Sequence, residues 1–222
     1  MHSVEVVIED EPAVTPIFGR PWNHDVAYHR LVRRSVPRGG RDFLDVGCGR
    51  GRLARELSGP GRRVLGLDPS AEMIAEAKAA GPDVPGLEFG EGDFLTTEIS
   101  AQSFDFVSFV ASLHHMDQVR ALAKAVEILR PGGRLVVIGL ARAITLPEEL
   151  FSAACAPVVW FNDLRPDFRG PGDEPAAAPT LGWGETRELV RGALPEARFR
   201  RRLYFRYSLV WTKPGAETAP KS

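Results

Sequence analysis

The chain has 222 residues, with 28 lysines and arginines against 29 aspartates and glutamates and a formal net charge of −1. That length buries one sizeable core without calling for a second domain, and the balanced charge supplies no long-range field for nucleic acid or an anionic membrane. Two cysteines, Cys48 and Cys155, suggest neither a disulfide framework nor a paired-cysteine metal site, which fits a reducing cytoplasm. The N-terminus, with Glu5, Glu9, Asp10 and Glu11, lacks the basic and apolar regions of a secretory signal, and no apolar run approaches membrane-spanning length.

In chain order, residues 1–40 read as an N-terminal arm and helix, of which 1–20 have the composition of a poorly ordered segment. Trp22 to His29 carries His24, Tyr28 and His29 at helical spacing of four or five, either as an ordinary amphipathic surface helix or as a source of polar groups for a site. Short apolar runs then alternate with longer amphipathic ones across 41–140, the pattern of βαβ units and a parallel sheet. Strands are expected at 42–46, 63–67, 86–90, 104–110 and 134–139. Ser70 caps a helix running to Lys78, and Met116 to Leu129 carries apolar residues at helical spacing until Arg130-Pro131-Gly132-Gly133 stops it.

Residues 141–185 differ, with a helix expected from Pro147 to Phe161 and a Pro/Gly-rich loop from Arg165 to Pro179. A loop of that length in a compact domain reads as a cover over a site, with a disordered linker as the alternative. Trp160, Phe161 and Trp183 would then form an aromatic wall, or else anchor the segment in the core. Over 186–213 a helix leads to a hairpin, Phe199–Tyr204 and Tyr207–Thr212, and 214–222 is a tail. Arg198, Arg200, Arg201, Arg202 and Arg206 alternate with apolar residues there, as in an edge strand whose charges resist aggregation; RNA binding is the weaker reading.

The most informative stretch is Leu44-Asp45-Val46-Gly47-Cys48-Gly49-Arg50-Gly51-Arg52, an apolar strand running into a GxGxG turn and then a helix. Glycines there remove the Cβ atoms that would keep a ligand off the backbone. A dinucleotide fingerprint would read GxGxxG, and a Walker loop would end in Gly-Lys-Ser/Thr. Ligands of a parallel sheet lie beyond the carboxyl ends of the strands, where the second strand ends in Asp68-Pro69, the third leads to Gly92-Asp93-Phe94 and the fourth to Ala111-Ser112-Leu113-His114-His115. A carboxylate placed like Asp68 can accept hydrogen bonds from both hydroxyls of a ribose. Asp93 with Phe94 would flank a base, the carboxylate taking an exocyclic amine and the ring or backbone covering one edge, unless Asp93 is simply a turn aspartate.

LDVGCGRG, GLDPS, GDF and LRPGGRLVVIG, in this order and spacing over residues 40–140, resemble class I S-adenosylmethionine-dependent methyltransferases. The resemblance implies an α/β, Rossmann-like seven-stranded mixed sheet of order 3-2-1-4-5-7-6 with helices on both faces, and S-adenosylmethionine as cofactor with S-adenosylhomocysteine as product. It further implies Gly47 and Gly49 for the methionine moiety, Asp68 for the ribose, Asp93 with Phe94 for the adenine, and Met73 packing on the adenine. Asp45 would order the turn or contact the cofactor amino group, and Pro69 and Val110 complete the implied cofactor set.

Methyl transfer to a hydroxyl needs in-line positioning and a base for the departing proton, and a histidine suits that role at neutral pH. His114 and His115 stand where such a base is wanted, and consecutive residues are expected to point different ways; His24, Tyr28 and His29 are rivals. The substrate-side candidates are His24, Tyr28, Trp160 and Trp183. The Asn/Asp-Pro-Pro-aromatic motif of amino methyltransferases is replaced by Ala111-Ser112-Leu113, and no His/Asp/Glu cluster shows metal-ligand spacing. The expectation is therefore metal-independent methylation of a small-molecule acceptor at oxygen, with neither nucleic acid nor membrane as partner. Carbon methylation of a quinone or polyketide-like ring, or a non-catalytic S-adenosylmethionine-binding protein, is the alternative.

Overall fold

The computed structural model describes residues 26–142, 181–202 and 206–215. Helix α1 (Val26–Arg34) precedes β1 (Asp42–Val46), α2 (Arg52–Leu57), β2 (Arg63–Asp68), α3 (Ala71–Ala79), β3 (Leu87–Glu91) and β4 (Phe104–Val110). A short 3₁₀ turn (Leu113–His115), α4 (Gln118–Ile128), β5 (Leu129–Leu140), α5 (Trp183–Ala193), β6 (Arg198–Arg201) and β7 (Arg206–Thr212) follow. The strands form one sheet of order β3-β2-β1-β4-β5-β7-β6, as the resemblance implied. All neighbours are parallel except β7, which runs antiparallel to both β5 and β6.

Strand alternation builds the core on both faces of this sheet. Leu44, Val46, Val107, Phe109, Leu135 and Val137 share one apolar cluster with Leu122, Ala125 and Ile128 of α4 and Trp183 and Val190 of α5. Phe43, Phe106, Val136 and Ile138 point the other way, into a cluster with Val32 of α1 and Leu53, Ala54 and Leu57 of α2. The crossover helices thus cover both faces, and the loops at the carboxyl ends of β1 to β4 are left to form a site.

Two expectations shift. The fifth strand begins at Leu129, five residues early, because Leu129 pairs with Phe104 before the ladder slips and resumes at Phe106–Arg134. The intervening Arg130–Gly133 stretch is an excursion within the strand, and Gly132 adopts φ +78° in it. The helix that opens the segment expected over 186–213 starts three residues earlier, at Trp183, where the Glu185 carboxylate accepts the Gly182 N–H at 2.9 Å. The cover expected over 141–185, its helix Pro147–Phe161 and residues 1–25 lie outside the described residues, except at the segment's two ends. There the chain departs after Arg142 and resumes at Leu181, joined by an Arg142 N–H to Leu181 carbonyl hydrogen bond of 3.1 Å. Among the described residues no helix is long and apolar enough to cross a membrane.

Candidate functional site

Gly47, Gly49 and Gly51 take φ of +68°, +49° and +71°, conformations that side chains with a Cβ adopt at a cost. The turn is drawn over the end of β2 by the Gly47 and Cys48 N–H groups, which donate to the Leu67 carbonyl at 2.8 and 3.1 Å. Helix α2 begins at Arg52.

Asp68, at the end of β2, is nearly buried. Its Oδ2 accepts the Gly49 N–H at 2.9 Å and its Oδ1 the Ser70 N–H at 2.9 Å, so the carboxylate braces the glycine turn against the next helix. Each carboxylate oxygen accepts more than one hydrogen bond, leaving capacity for a further donor. Ser70 caps α3 as expected, accepting the Met73 N–H at 3.3 Å; Met73 itself is half-buried on the first turn, and Pro69 is exposed.

Asp45 is buried on β1 directly opposite Ser108 of β4 and accepts its hydroxyl at 2.8 Å. Burial pushes its carboxyl up to about 6, against the lowering effect of that hydrogen bond. On the same side, His29 Nδ1 lies 3.3 Å from Glu56 Oε2. Burial would raise the Glu56 carboxyl, but the adjacent His29 imidazole and the Arg52 and Arg33 guanidiniums hold it near 2. His29 therefore ties α1 to α2.

After β3, Asp93 is exposed and its Oδ1 accepts the Leu95 N–H at 2.6 Å, the contact of a turn aspartate. Of the two readings given for Phe94, the ring is 2% exposed and packs edge-to-face on Phe109 with centroids 5.4 Å apart. Core packing has claimed the ring, so only the Phe94 backbone can cover a bound base.

After β4, half-buried Val110 is followed by Ala111 at φ +55° and then by buried Ser112, whose hydroxyl donates 2.6 Å to the Val46 carbonyl. The 3₁₀ turn carries His114, half-buried, and His115, exposed. Their rings do not diverge as expected, because the tight turn brings them together, tilted by 39° with centroids 4.0 Å apart. Trp183 is 2% exposed and belongs to the core, beneath the Arg201 guanidinium 5.2 Å from its ring, which corrects its place among the substrate-side candidates. Tyr28 is half-buried against the core cluster of α1 and α2. His24 and Trp160 lie outside the described residues. Among the described residues no group of three or more His, Cys, Asp or Glu could hold a metal ion.

Sequence reasoning passed over Ser108, Glu56 and the bonded role of Ser112. Ser112 alone carried a signal, its position directly after the fourth strand.

A family model described as a methyltransferase domain matches residues 44–137, the span from the glycine turn to β5. An uncharacterised methyltransferase from Mycobacterium bovis is 30% identical over 203 residues, 88% of this chain and 98% of that relative. The chain belongs to the class I S-adenosylmethionine-dependent methyltransferases. The fold of the methyltransferase agrees: a SAM-dependent methyltransferase from Methanosarcina mazei matches it with a TM-score of 0.59 at 19% identity, covering 84% of this chain and 98% of the other. A trans-aconitate 2-methyltransferase from Deinococcus radiodurans is 38% identical to it over 131 residues, 52% of this chain and 48% of the relative. The methyltransferase uses S-adenosylmethionine as its cofactor.

Proposed function

We propose that the methyltransferase transfers the methyl group of S-adenosylmethionine to an oxygen of a small-molecule acceptor, without a metal and in the cytoplasm, with His115 or His114 as general base. The observation that carries this reading is the 3₁₀ turn, which holds two imidazoles at the carboxyl end of β4 one hydrogen bond away from the strand that enters the glycine turn. Exposed His115 is the better candidate to meet an incoming hydroxyl.

When bound, the cofactor supplies a methyl group on a sulfonium that is already an activated leaving group. The residues of this chain bind and orient. The spare acceptor capacity of the Asp68 carboxylate fits a vicinal diol and is the ribose site; Gly47 and Gly49 face the methionine moiety; Asp93 and the Phe94 backbone take the adenine, with Met73, Pro69 and Val110 against it. Asp45 orders the turn. On the acceptor side His24, Tyr28 and Trp160 remain candidates, and the histidine base receives the hydroxyl proton.

Calorimetric titration with S-adenosylmethionine, S-adenosylhomocysteine and NADH tests the donor pocket: micromolar binding of the first two alone is expected, and binding of NADH alone would overturn the reading. Transfer of labelled methyl across phenol, carboxylate and sugar acceptors, read by product mass spectrometry, then tests the oxygen assignment. Label recovered on carbon would favour the ring C-methyltransferase alternative. His115→Ala or His114→Ala should lower turnover on an oxygen acceptor by about 10²–10⁴ with cofactor affinity preserved. Unchanged turnover in both variants removes the histidine base.

A further inference from the structure

The loop after β4 is built around Ser112, and three observations single this residue out. Its hydroxyl donates 2.6 Å to the Val46 carbonyl, the last of β1, in a buried contact spanning 66 residues of sequence. A Cβ added to Gly47 would stand 2.3 Å from the Ser112 Cβ and 3.0 Å from its Oγ, so the glycine turn and this serine are in direct apposition. Finally, the Ser112 carbonyl accepts the His115 N–H at 3.1 Å, which starts the 3₁₀ turn from the same residue.

The register of β1 on β4 ends at Val46–Phe109, and nothing in the ladder itself fixes the loop beyond it. Ala111 departs from the strand at φ +55° while its N–H still donates to the Ile138 carbonyl of β5 at 2.8 Å. That left-handed step is unfavourable for alanine and persists only where the surroundings hold it. It turns the chain so that Ser112 reaches back to β1.

We infer that Ser112 is a positioning residue for the transfer reaction: by fastening the histidine turn to the glycine turn, it makes occupancy of the donor site order the turn that carries His114 and His115. The inference rests on the donor site proposed above. A side chain without a hydroxyl would leave the buried Val46 carbonyl without this partner and the histidine turn without its tie. Transfer geometry is sensitive to such a loss, because a small misplacement of donor and acceptor groups costs much of the rate.

The test is hydrogen exchange of the whole chain with and without S-adenosylhomocysteine, compared with Ser112→Ala. In the natural chain the ligand should slow exchange in both 45–51 and 111–116, each by about tenfold or more and with the same ligand midpoint. In Ser112→Ala the slowing at 45–51 should remain while that at 111–116 falls below about threefold. A merely structural serine would instead speed exchange equally with and without ligand. Unaltered exchange at 111–116 in the natural chain, a measurement that needs no variant to fold, overturns the inference. So does full ligand-dependent slowing retained in Ser112→Ala. Failure of the natural chain to bind S-adenosylhomocysteine at all would overturn the donor-site reading and this inference with it, whereas binding without slowing at 111–116 overturns this inference alone.

Discussion

Asp45 of β1 and Ser108 of β4 face each other across the parallel ladder, and the serine hydroxyl donates 2.8 Å to a carboxylate that burial has pushed up to about 6. Between about pH 4 and 6 the folded chain therefore holds a proton that the unfolded chain has released, so this group makes stability fall as pH rises through that window. The gap between about 6 and the ordinary value of 3.8 corresponds to on the order of 3 kcal/mol. Glu56 acts oppositely and lower, its contribution present above the unfolded value and lost as pH drops toward 2. Asp45→Asn keeps an acceptor for Ser108 but cannot ionise. Its stability relative to the natural chain should rise by up to about 3 kcal/mol from pH 4 to 7, measured by urea unfolding without ligand. A difference that stays constant with pH would show that Asp45 holds no proton in that window.

The Asp68 carboxylate already accepts the Gly49 and Ser70 N–H groups, so its replacement strikes both the turn and the ligand. Hydrogen bonds to charged groups are worth about 1.5–3 kcal/mol each, so Asp68→Ala should weaken S-adenosylhomocysteine binding about tenfold or more. Asp68→Asn, which keeps the shape and one acceptor oxygen, should fold better than alanine and still bind weakly. Calorimetry on both variants decides the matter, and unchanged affinity would remove the ribose assignment.

How far the sequence foretold this site depends on the range of the contacts involved. β1 and β4 begin and end where their apolar runs do, Asp42–Val46 and Phe104–Val110, because period and composition are local. Ser70 was legible as a cap for the same reason. Phe94 carried two readings, ring or backbone over a base, and the choice between them was not legible, because the ring is drawn into the core by Phe109, a contact no local pattern encodes. The His29–Glu56 pair and the Ser112–Val46 bond span 27 and 66 residues, and both exist only once α1 lies on α2 and β4 on β1. The sheet order was read from resemblance rather than from spacing.

Gly51 carries two separable burdens, a φ of +71° and a site where an added Cβ would stand 2.4 Å from the Phe89 ring and 3.0 Å from the Ala77 Cβ. Gly132, at φ +78°, has nothing within 4 Å of such a Cβ. Gly132→Ala should therefore cost only the backbone term, about 1–2 kcal/mol, and Gly51→Ala that amount plus about 1–3 kcal/mol of overpacking. Thermal melts of the two variants compare them directly, with each kcal/mol lowering the midpoint by roughly 2–4 °C at this size. Equal midpoints would mean that Phe89 moves aside at no cost.

At the opposite end of the sheet from the glycine turn, Arg130 Nη1 lies 2.8 Å from Asp42 and 3.0 Å from Asp105, clamping the starts of β1 and β4. The Arg63 hydrogen bond, joined by Arg130, holds the Asp42 carboxyl below the usual range despite burial. Burial would raise Asp105, but the Arg41 and Asp42 N–H groups and Arg130 lower it on balance. Stability from both acids is present above their unfolded values and is lost as pH falls through the depressed ones. Arg130→Met should cost about 1–3 kcal/mol at pH 7, a modest figure because the arginine is partly exposed, and the deficit should shrink as pH approaches 3. Denaturant unfolding at both pH values reads the change, while calorimetry should find S-adenosylhomocysteine binding intact, since the clamp lies a full strand length from the donor site. A deficit that does not shrink in acid would assign the loss to the packing of the arginine stem rather than to its charge.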